Sequence, residues 1–206
     1  LFRSLITHGH EDHIGAVPFL LKEVSAPVFA TRLTLGLIQN RLEERPPRQK
    51  PDLREVAPGD RFQVGAFAVE FIAVNHSIID GTAIAITTPV GVIIHSGDFK
   101  IDYSPVDGRV TDIHTFAEYG EKGVLLLMSD STNALRKGYT RSESILSERL
   151  FEIFSAVKGR VIVATFASNI HRIQQVLDAA QKYNKRVVIS GRSEEHTSEL
   201  QSPNTI

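Results

Sequence analysis

Residues 8–13 read His8-Gly9-His10-Glu11-Asp12-His13, which places three imidazoles and an aspartate within six positions. Imidazole nitrogen and carboxylate oxygen are the donors that zinc and its first-row neighbours accept, and catalytic zinc sites leave a further position open for water. The stretch before it, Phe2 to Thr7, reads as a buried strand, and Ile14 to Val24 reads as a helix. The hexapeptide therefore falls on a strand-to-helix loop, a common place for function. On such a loop His8 and His10 can face one side of a pocket, and Asp12 and His13 the other. The bland alternative is a polar surface loop rich in histidine, or a pair of helix-capping residues. Ligands at this density favour the metal reading.

Two further segments supply context. After an apolar run from Phe67 to Val74 the chain reads Asn75-His76-Ser77, and after Gly91 to Ile94 it reads His95-Ser96-Gly97-Asp98-Phe99. A lone histidine or aspartate at a strand end is more often structural than ligating. Together they give the hexapeptide another imidazole and a carboxylate able to bridge two ions.

The order His-x-His-x-Asp-His, then a single His, then a single Asp resembles the metallo-β-lactamase superfamily. ITHGHEDHIGAVPFLL, VNHSIIDG, HSGDFKID and MSDSTNA are similar to the β-CASP nucleases of the ribonuclease J family, over about residues 1–191. Ile79 departs from the pattern, since proline is expected there. It adjoins His76 without removing it.

The resemblance implies two zinc ions, with manganese as the alternative metal. His8, His10 and His76 would hold one, Asp12 and His13 the other, and Asp98 would bridge both. Ions roughly 3.5–4 Å apart make water a nucleophile towards phosphorus, so no Ser or Cys nucleophile is required. Catalytic roles fall to Asp12, Asp98 and Asp130. Asp130 would orient a histidine from later in the family sequence, although on bare sequence it is equally a strand-end cap. Ala167, Ser168 and Asn169 precede a helix whose exposed N–H groups suit a phosphate, with simple capping by Ser168 as the alternative. His171, inside that helix, reads as structural or exposed.

The implied activity is hydrolysis of RNA phosphodiesters, 5′-to-3′ and exonucleolytic with endonucleolytic cleavage as a second mode, in RNA maturation and decay, rRNA processing included. RNA is the implied partner, and a dimer or tetramer the implied assembly. Two other readings stand beside it: a small-molecule hydrolase of the same superfamily acting on a thioester or lactam, and a catalytically silent RNA-binding subunit.

Composition agrees without being diagnostic. The 206 residues, 42% apolar, can bury a substantial core in one domain or parts of two. No apolar run approaches the roughly 20 residues of a membrane span, and no signal peptide is visible. The absence of cysteine excludes disulfides and thiolate-bound zinc, and points to a cytoplasmic setting. A net charge of −1 does not advertise nucleic-acid binding. Residues 41–50, RLEERPPRQK, offer a basic loop that reads more simply as a solvated linker.

Along the chain strands and helices alternate as in a layered α/β fold, and the resemblance implies a partial αββα metallo-β-lactamase sandwich followed by the start of an inserted β-CASP α/β domain. Strands are expected at 26–30, repeatedly between 53 and 94, and at 124–128, where an apolar run reads as buried. A helix is expected over 31–44. After Tyr139 the pattern becomes helix 142–157, capped by Ser142, strand 160–166, helix 168–183 and strand 186–190. The expected division is 1–140, 141–191 and 192–206. The last piece, beginning RSEEHTSELQSP, looks like a translated sequencing adapter and is set aside from function. The chain thus reads as a fragment at both ends.

Overall fold

The computed structural model describes residues 2–190. The stretch 192–206, set aside above, lies outside the described residues. Two sheets face one another. The first is parallel, in the order β1 (Ser4–Leu5), β2 (Val28–Ala30), β3 (Leu53–Glu55). The second runs β4 (Arg61–Val64), β5 (Phe67–Ala73), β6 (Thr82–Thr88), β7 (Gly91–His95), β8 (Leu126–Met128). It is antiparallel except for the parallel pair β7–β8.

Strand alternation builds the layers. All of β2 is buried because it has two covered faces. Val28 and Ala30 pack with Ile14, Val17, Leu21, Ile38 and Leu42 of the helices α1 (Glu11–Ile14), α2 (Val17–Glu23) and α3 (Arg32–Glu44). Phe29 turns the other way to meet Val69, Phe71 and Ile84 of the second sheet. The opposite face of that sheet, with Ile72, Ala83, Ala85 and Ile94, is covered by Phe116 and Tyr119 of α4 (Ile113–Lys122). The result is an αββα sandwich. Phe71, fully buried at its centre, would cost about 3–5 kcal/mol to truncate to alanine.

Beyond β8 the helices α5 (Ser144–Ala156) and α6 (Ile170–Lys182) pack through Phe154, Ala179 and Ala180. Asp112 caps α4 by accepting from the Thr115 backbone N–H at 3.1 Å.

Several expectations need correction. The first strand is only Ser4–Leu5, and the hexapeptide is not all loop, because Glu11, Asp12 and His13 form α1. The single helix 14–24 is two, α1 and α2. Pro18 sits in the first turn of α2, where its ring would collide with the Ile14 carbonyl if the helix ran on unbroken. The 124–128 run is not buried: β8 is an edge strand, and Leu126, Leu127 and Met128 are exposed. Residues 160–166 and 186–190 form no strands. Neither segment has a ladder partner among the described residues, and Ile162, Phe166 and Val188 face solvent. Glu143, not Ser142, occupies the cap position of α5, although the Ser142 hydroxyl still accepts from the Ser144 N–H at 3.2 Å. Asn169 rather than Ser168 caps α6.

Candidate metal centre

The topology brings distant segments to one edge. β5 and β7 are both antiparallel to β6, so they run the same way, and β8 is parallel to β7. His76, Asp98 and Asp130 each follow the C-terminal end of one of these strands, and His8 follows that of β1. The two sheets are fastened beside the site, where the Thr82 N–H and hydroxyl both donate to the Thr7 carbonyl at 2.9 and 2.8 Å. Asp98 reaches the centre through a turn that only glycine makes easily. Gly97 has φ +60°, and a Cβ there would lie 2.6 Å from the Thr82 carbonyl oxygen.

Three ring nitrogens converge. His10 Nδ1 lies 3.1 Å from His8 Nε2 and 3.0 Å from His76 Nε2. Asp98 Oδ2 closes the group at 3.9 Å from His8 Nε2 and 3.7 Å from His76 Nε2. Ligands about 2.0–2.1 Å from a tetrahedral zinc stand roughly 3.3 Å from one another, close to these separations. The other oxygen of Asp98, Oδ1, lies 3.6 Å from His13 Nε2, which is 3.5 Å from Asp12 Oδ2. Asp98 therefore presents one oxygen to His8 and His76 and the other to His13. Asp12 is on the solvent side, its side chain 78% exposed.

The rings are held as neutral donors. Burial, reinforced by the neighbouring rings of His13, His76 and His10, pushes His8 down to about 2. Burial also pushes His76 to about 4, with His10 adding to the effect and Asp98 and Asp130 opposing it. His10 is lowered by burial against the pull of Asp12 and Asp98. Unprotonated nitrogens and carboxylate oxygens facing a common point are a donor set that fits a divalent metal ion. All four atoms of the His8, His10, His76 and Asp98 group lie within 4.8 Å of one another.

Residues outside the predicted set orient it. Thr7 Oγ1 lies 3.1 Å from His8 Nδ1 inside the protein, which directs Nε2 to the centre. Ser77 Oγ lies 3.4 Å from His10 Nε2. Thr7 immediately precedes the first candidate ligand histidine, and that position was the available signal for it. Glu11 turns away from the centre: Arg41 of α3 donates to its Oε2 from Nη2 at 2.8 Å and Nε at 3.0 Å. The first cation of the 41–50 run is thus occupied in fixing α1 to α3.

Asp130 is beside the centre. Its N–H donates to Ser96 Oγ at 2.9 Å, and its Oδ1 accepts from the Thr132 N–H at 2.8 Å and hydroxyl at 2.7 Å. Burial acts to raise its pKa, but the Thr132 bonds, the Phe99 backbone and His76 outweigh it and hold the carboxyl below the usual range. Ala167, Ser168 and Asn169 are not part of the metal group. Asn169 is buried and its side-chain oxygen accepts from the Arg172 N–H at 3.1 Å, so its capping capacity is used within α6. His171 is half-buried.

Comparison with known proteins adds independent observations. The family model described as Beta-lactamase superfamily domain matches residues 5–165, and that described as Ribonuclease J, beta-CASP domain matches residues 158–204. Ribonuclease J of Thermus thermophilus is 48% identical over 196 residues, 92% of this chain and 34% of that protein. Ribonuclease J of Helicobacter pylori strain J99 is 47% identical over 192 residues, 93% of this chain and 28% of that one. The chain thus spans about a third of the length of these curated relatives. A crystallised protein of unknown function from Enterococcus faecalis shares the fold with a TM-score of 0.63 at 18% identity, covering 85% of this chain and 44% of that one.

Proposed function

The chain belongs to the metallo-β-lactamase superfamily, on its ribonuclease J branch, and from that premise we propose that it carries most of the active centre of a zinc-dependent ribonuclease. The observation that carries the proposal is the two-sided placement of Asp98, with Oδ2 towards His8 and His76 and Oδ1 towards His13. In this reading His8, His10 and His76 would hold one ion and Asp12 and His13 a second, with Asp98 shared between the two groups. When bound, such a pair lowers the pKa of a shared water to about 7 and offsets charge on the attacking and leaving oxygens.

The protein's residues then have separate tasks. Thr7 keeps His8 in one orientation, the Arg41–Glu11 pair fixes α1, and Gly97 lets Asp98 approach. Asp130 is anchored to Ser96 and Thr132, and in this reading it would orient the group that protonates the leaving oxygen. The division of the chain is drawn near residue 140, after β8 and before α5. In this reading the second unit holds RNA over the metals, and Ala167 to Asn169 offer it the start of α6. Substrate, 5′-to-3′ exonucleolytic and endonucleolytic modes, cytoplasmic location and assembly as dimer or tetramer come from the same kinship. Among the described residues no helix is long and apolar enough to cross a membrane.

The test is hydrolysis of 5′-monophosphorylated RNA by the intact, zinc-loaded protein beside its Asp98→Ala variant. Loss of at least about 100-fold in rate is expected, because the bridging carboxylate serves both ions. Undiminished cleavage by the variant refutes the bridge. Cleavage of thioesters or lactams instead of RNA would move the chain to the small-molecule reading.

A further inference from the structure

The three candidate ligand histidines that converge are not held alike. Thr7 stands against the Nδ1 of His8 and Ser77 against the Nε2 of His10, whereas among the described residues no hydrogen bond reaches the Nδ1 of His76. The aim of the His76 ring therefore depends on where its backbone is placed. Asp98, which follows β7, faces that ring at 3.7 Å. Supporting contacts have to keep such groups within roughly 0.5 Å of a working geometry. What sets the spacing of these two segments lies outside the candidate ligands themselves.

The residue before His76 and the second residue after Asp98 form a short antiparallel bridge, in which the Lys100 N–H donates to the Asn75 carbonyl at 2.8 Å. Thr111, on the loop that leads to α4, lies across this bridge. Its hydroxyl accepts from the Asn75 N–H at 3.0 Å and has two acceptors for its own proton, Asn75 Oδ1 at 3.2 Å and the Lys100 carbonyl at 3.4 Å. The Thr111 N–H donates to Asn75 Oδ1 at 3.0 Å, and Asn75 Nδ2 donates in turn to the Arg109 carbonyl. Asn75 and Thr111 are both 7% exposed. Their loop is itself anchored, because the next N–H, that of Asp112, donates to the Ala73 carbonyl at 3.0 Å and Asp112 caps α4.

Bonds at these buried positions hold more firmly than the pair at the far end of the His76 loop. There Arg109 Nη1 donates to Asp80 Oδ1 at 2.8 Å, with the arginine side chain 72% exposed. The junction is also no place for a substrate. The cavity beside it, lined by Asn75, His76, Lys100 and Arg109 among others, has about 40 Å³, room for a water or two.

We propose that Thr111, acting through Asn75, is a positioning residue of the metal centre: it ties the backbone ahead of His76 to the backbone after Asp98 and sets the spacing of these two side chains. The proposal rests on the reading of His76 and Asp98 as metal ligands and adds the residue that holds them in register.

The experiment uses the intact protein, its Thr111→Val and Thr111→Ser variants, and a control, Leu42→Ala, which truncates a buried side chain in the core between α3 and the first sheet. Each is measured for zinc affinity, by competition against a chromogenic chelator, and for the visible absorption of its cobalt(II)-substituted form, which reports how the ligands are arranged. Urea unfolding with chelator present gives the stability of each. Thr111→Val is expected to lose about tenfold or more in zinc affinity, the scale for groups that orient metal ligands, and to alter the cobalt bands. Thr111→Ser keeps the hydroxyl and should stay within about threefold of the parent. Leu42→Ala should lower the urea midpoint and keep the parent's affinity and cobalt bands, because it touches neither segment. If the valine variant does not fold, Thr111→Ala repeats the test: a water can then meet the Asn75 N–H without fixing the spacing, so zinc affinity should still fall. A valine or alanine variant that loses stability while keeping the parent's zinc affinity and cobalt bands makes Thr111 merely structural and overturns the proposal, leaving the metal reading intact. A serine variant as impaired as valine overturns the role of the hydroxyl. A parent protein that binds no zinc removes both readings.

Discussion

Thr7→Val changes almost nothing in shape and deletes one hydroxyl, so it isolates what that hydroxyl does for the metal centre. In the parent, Thr7 Oγ1 lies 3.1 Å from His8 Nδ1, and the His8 ring is only 1% exposed. No water can replace the lost partner there without opening the core. Two effects follow. The ring loses its fixed orientation, and such supporting contacts are worth about 10–100-fold in metal affinity, or about 1.4–2.8 kcal/mol. The metal-free fold also carries a buried ring nitrogen without a partner, a cost of about 1–3 kcal/mol. Zinc competition against a chromogenic chelator measures the first effect, and urea unfolding with chelator present measures the second. Thr7→Ser keeps the hydroxyl and should retain most of the affinity. If Thr7→Val binds zinc within about twofold of the parent, His8 is held by packing alone and the orienting role of Thr7 is wrong.

Three other outcomes are expected. Gly97→Ala combines about 1–2 kcal/mol of left-handed strain with a Cβ 2.6 Å from the Thr82 carbonyl; it should lower the melting temperature and the zinc content together, and full zinc occupancy would show that Asp98 does not depend on this turn. In the metal-free protein His8 and His76 sit at about 2 and 4, below the ordinary 6.5, so the folded state binds fewer protons than the unfolded chain. Stability is therefore present above pH 6.5 and falls as pH drops towards 4; denaturation midpoints with chelator at pH 7 and pH 5 measure this, and equal midpoints contradict it. Tyr119 is raised from 10 to about 12 by burial and by its 2.5 Å bond to Glu70, so its contribution is complete below pH 10 and lost as pH rises through about 12. Tyr119→Phe should flatten the alkaline decline between those values, and an unchanged slope in alkaline melts would assign the decline elsewhere.

Ligand types at strand ends were legible because few other uses put imidazoles and carboxylates together beside apolar runs. His8, His10, His76 and Asp98 were named from the chain, and the folded molecule brings them to one point. A layered α/β fold with a β-rich stretch between Leu53 and Ile94 was legible from alternation and turn signals, while the αββα sandwich followed from the family resemblance. What failed had a common cause: an apolar run records a tendency to be covered and not whether a cover is present. Leu126 to Met128 read as interior, yet they lie on the outermost strand. Residues 160–166 read as a strand, but a strand exists only through its neighbour. The role of Glu11 was invisible for a different reason, since its partner Arg41 is 30 positions away and no local pattern links them.

The Thr7–Thr82 fastening between the sheets has a consequence for the order in which the protein matures. His8 and Asp98 are separated by 90 positions, one belonging to each side of that junction. Contacts between such distant residues are entropically expensive and form late. Either sheet alone carries only part of the group formed by His8, His10, His76 and Asp98. If the group holds a divalent ion, full affinity for it would arise only once both sheets have come together.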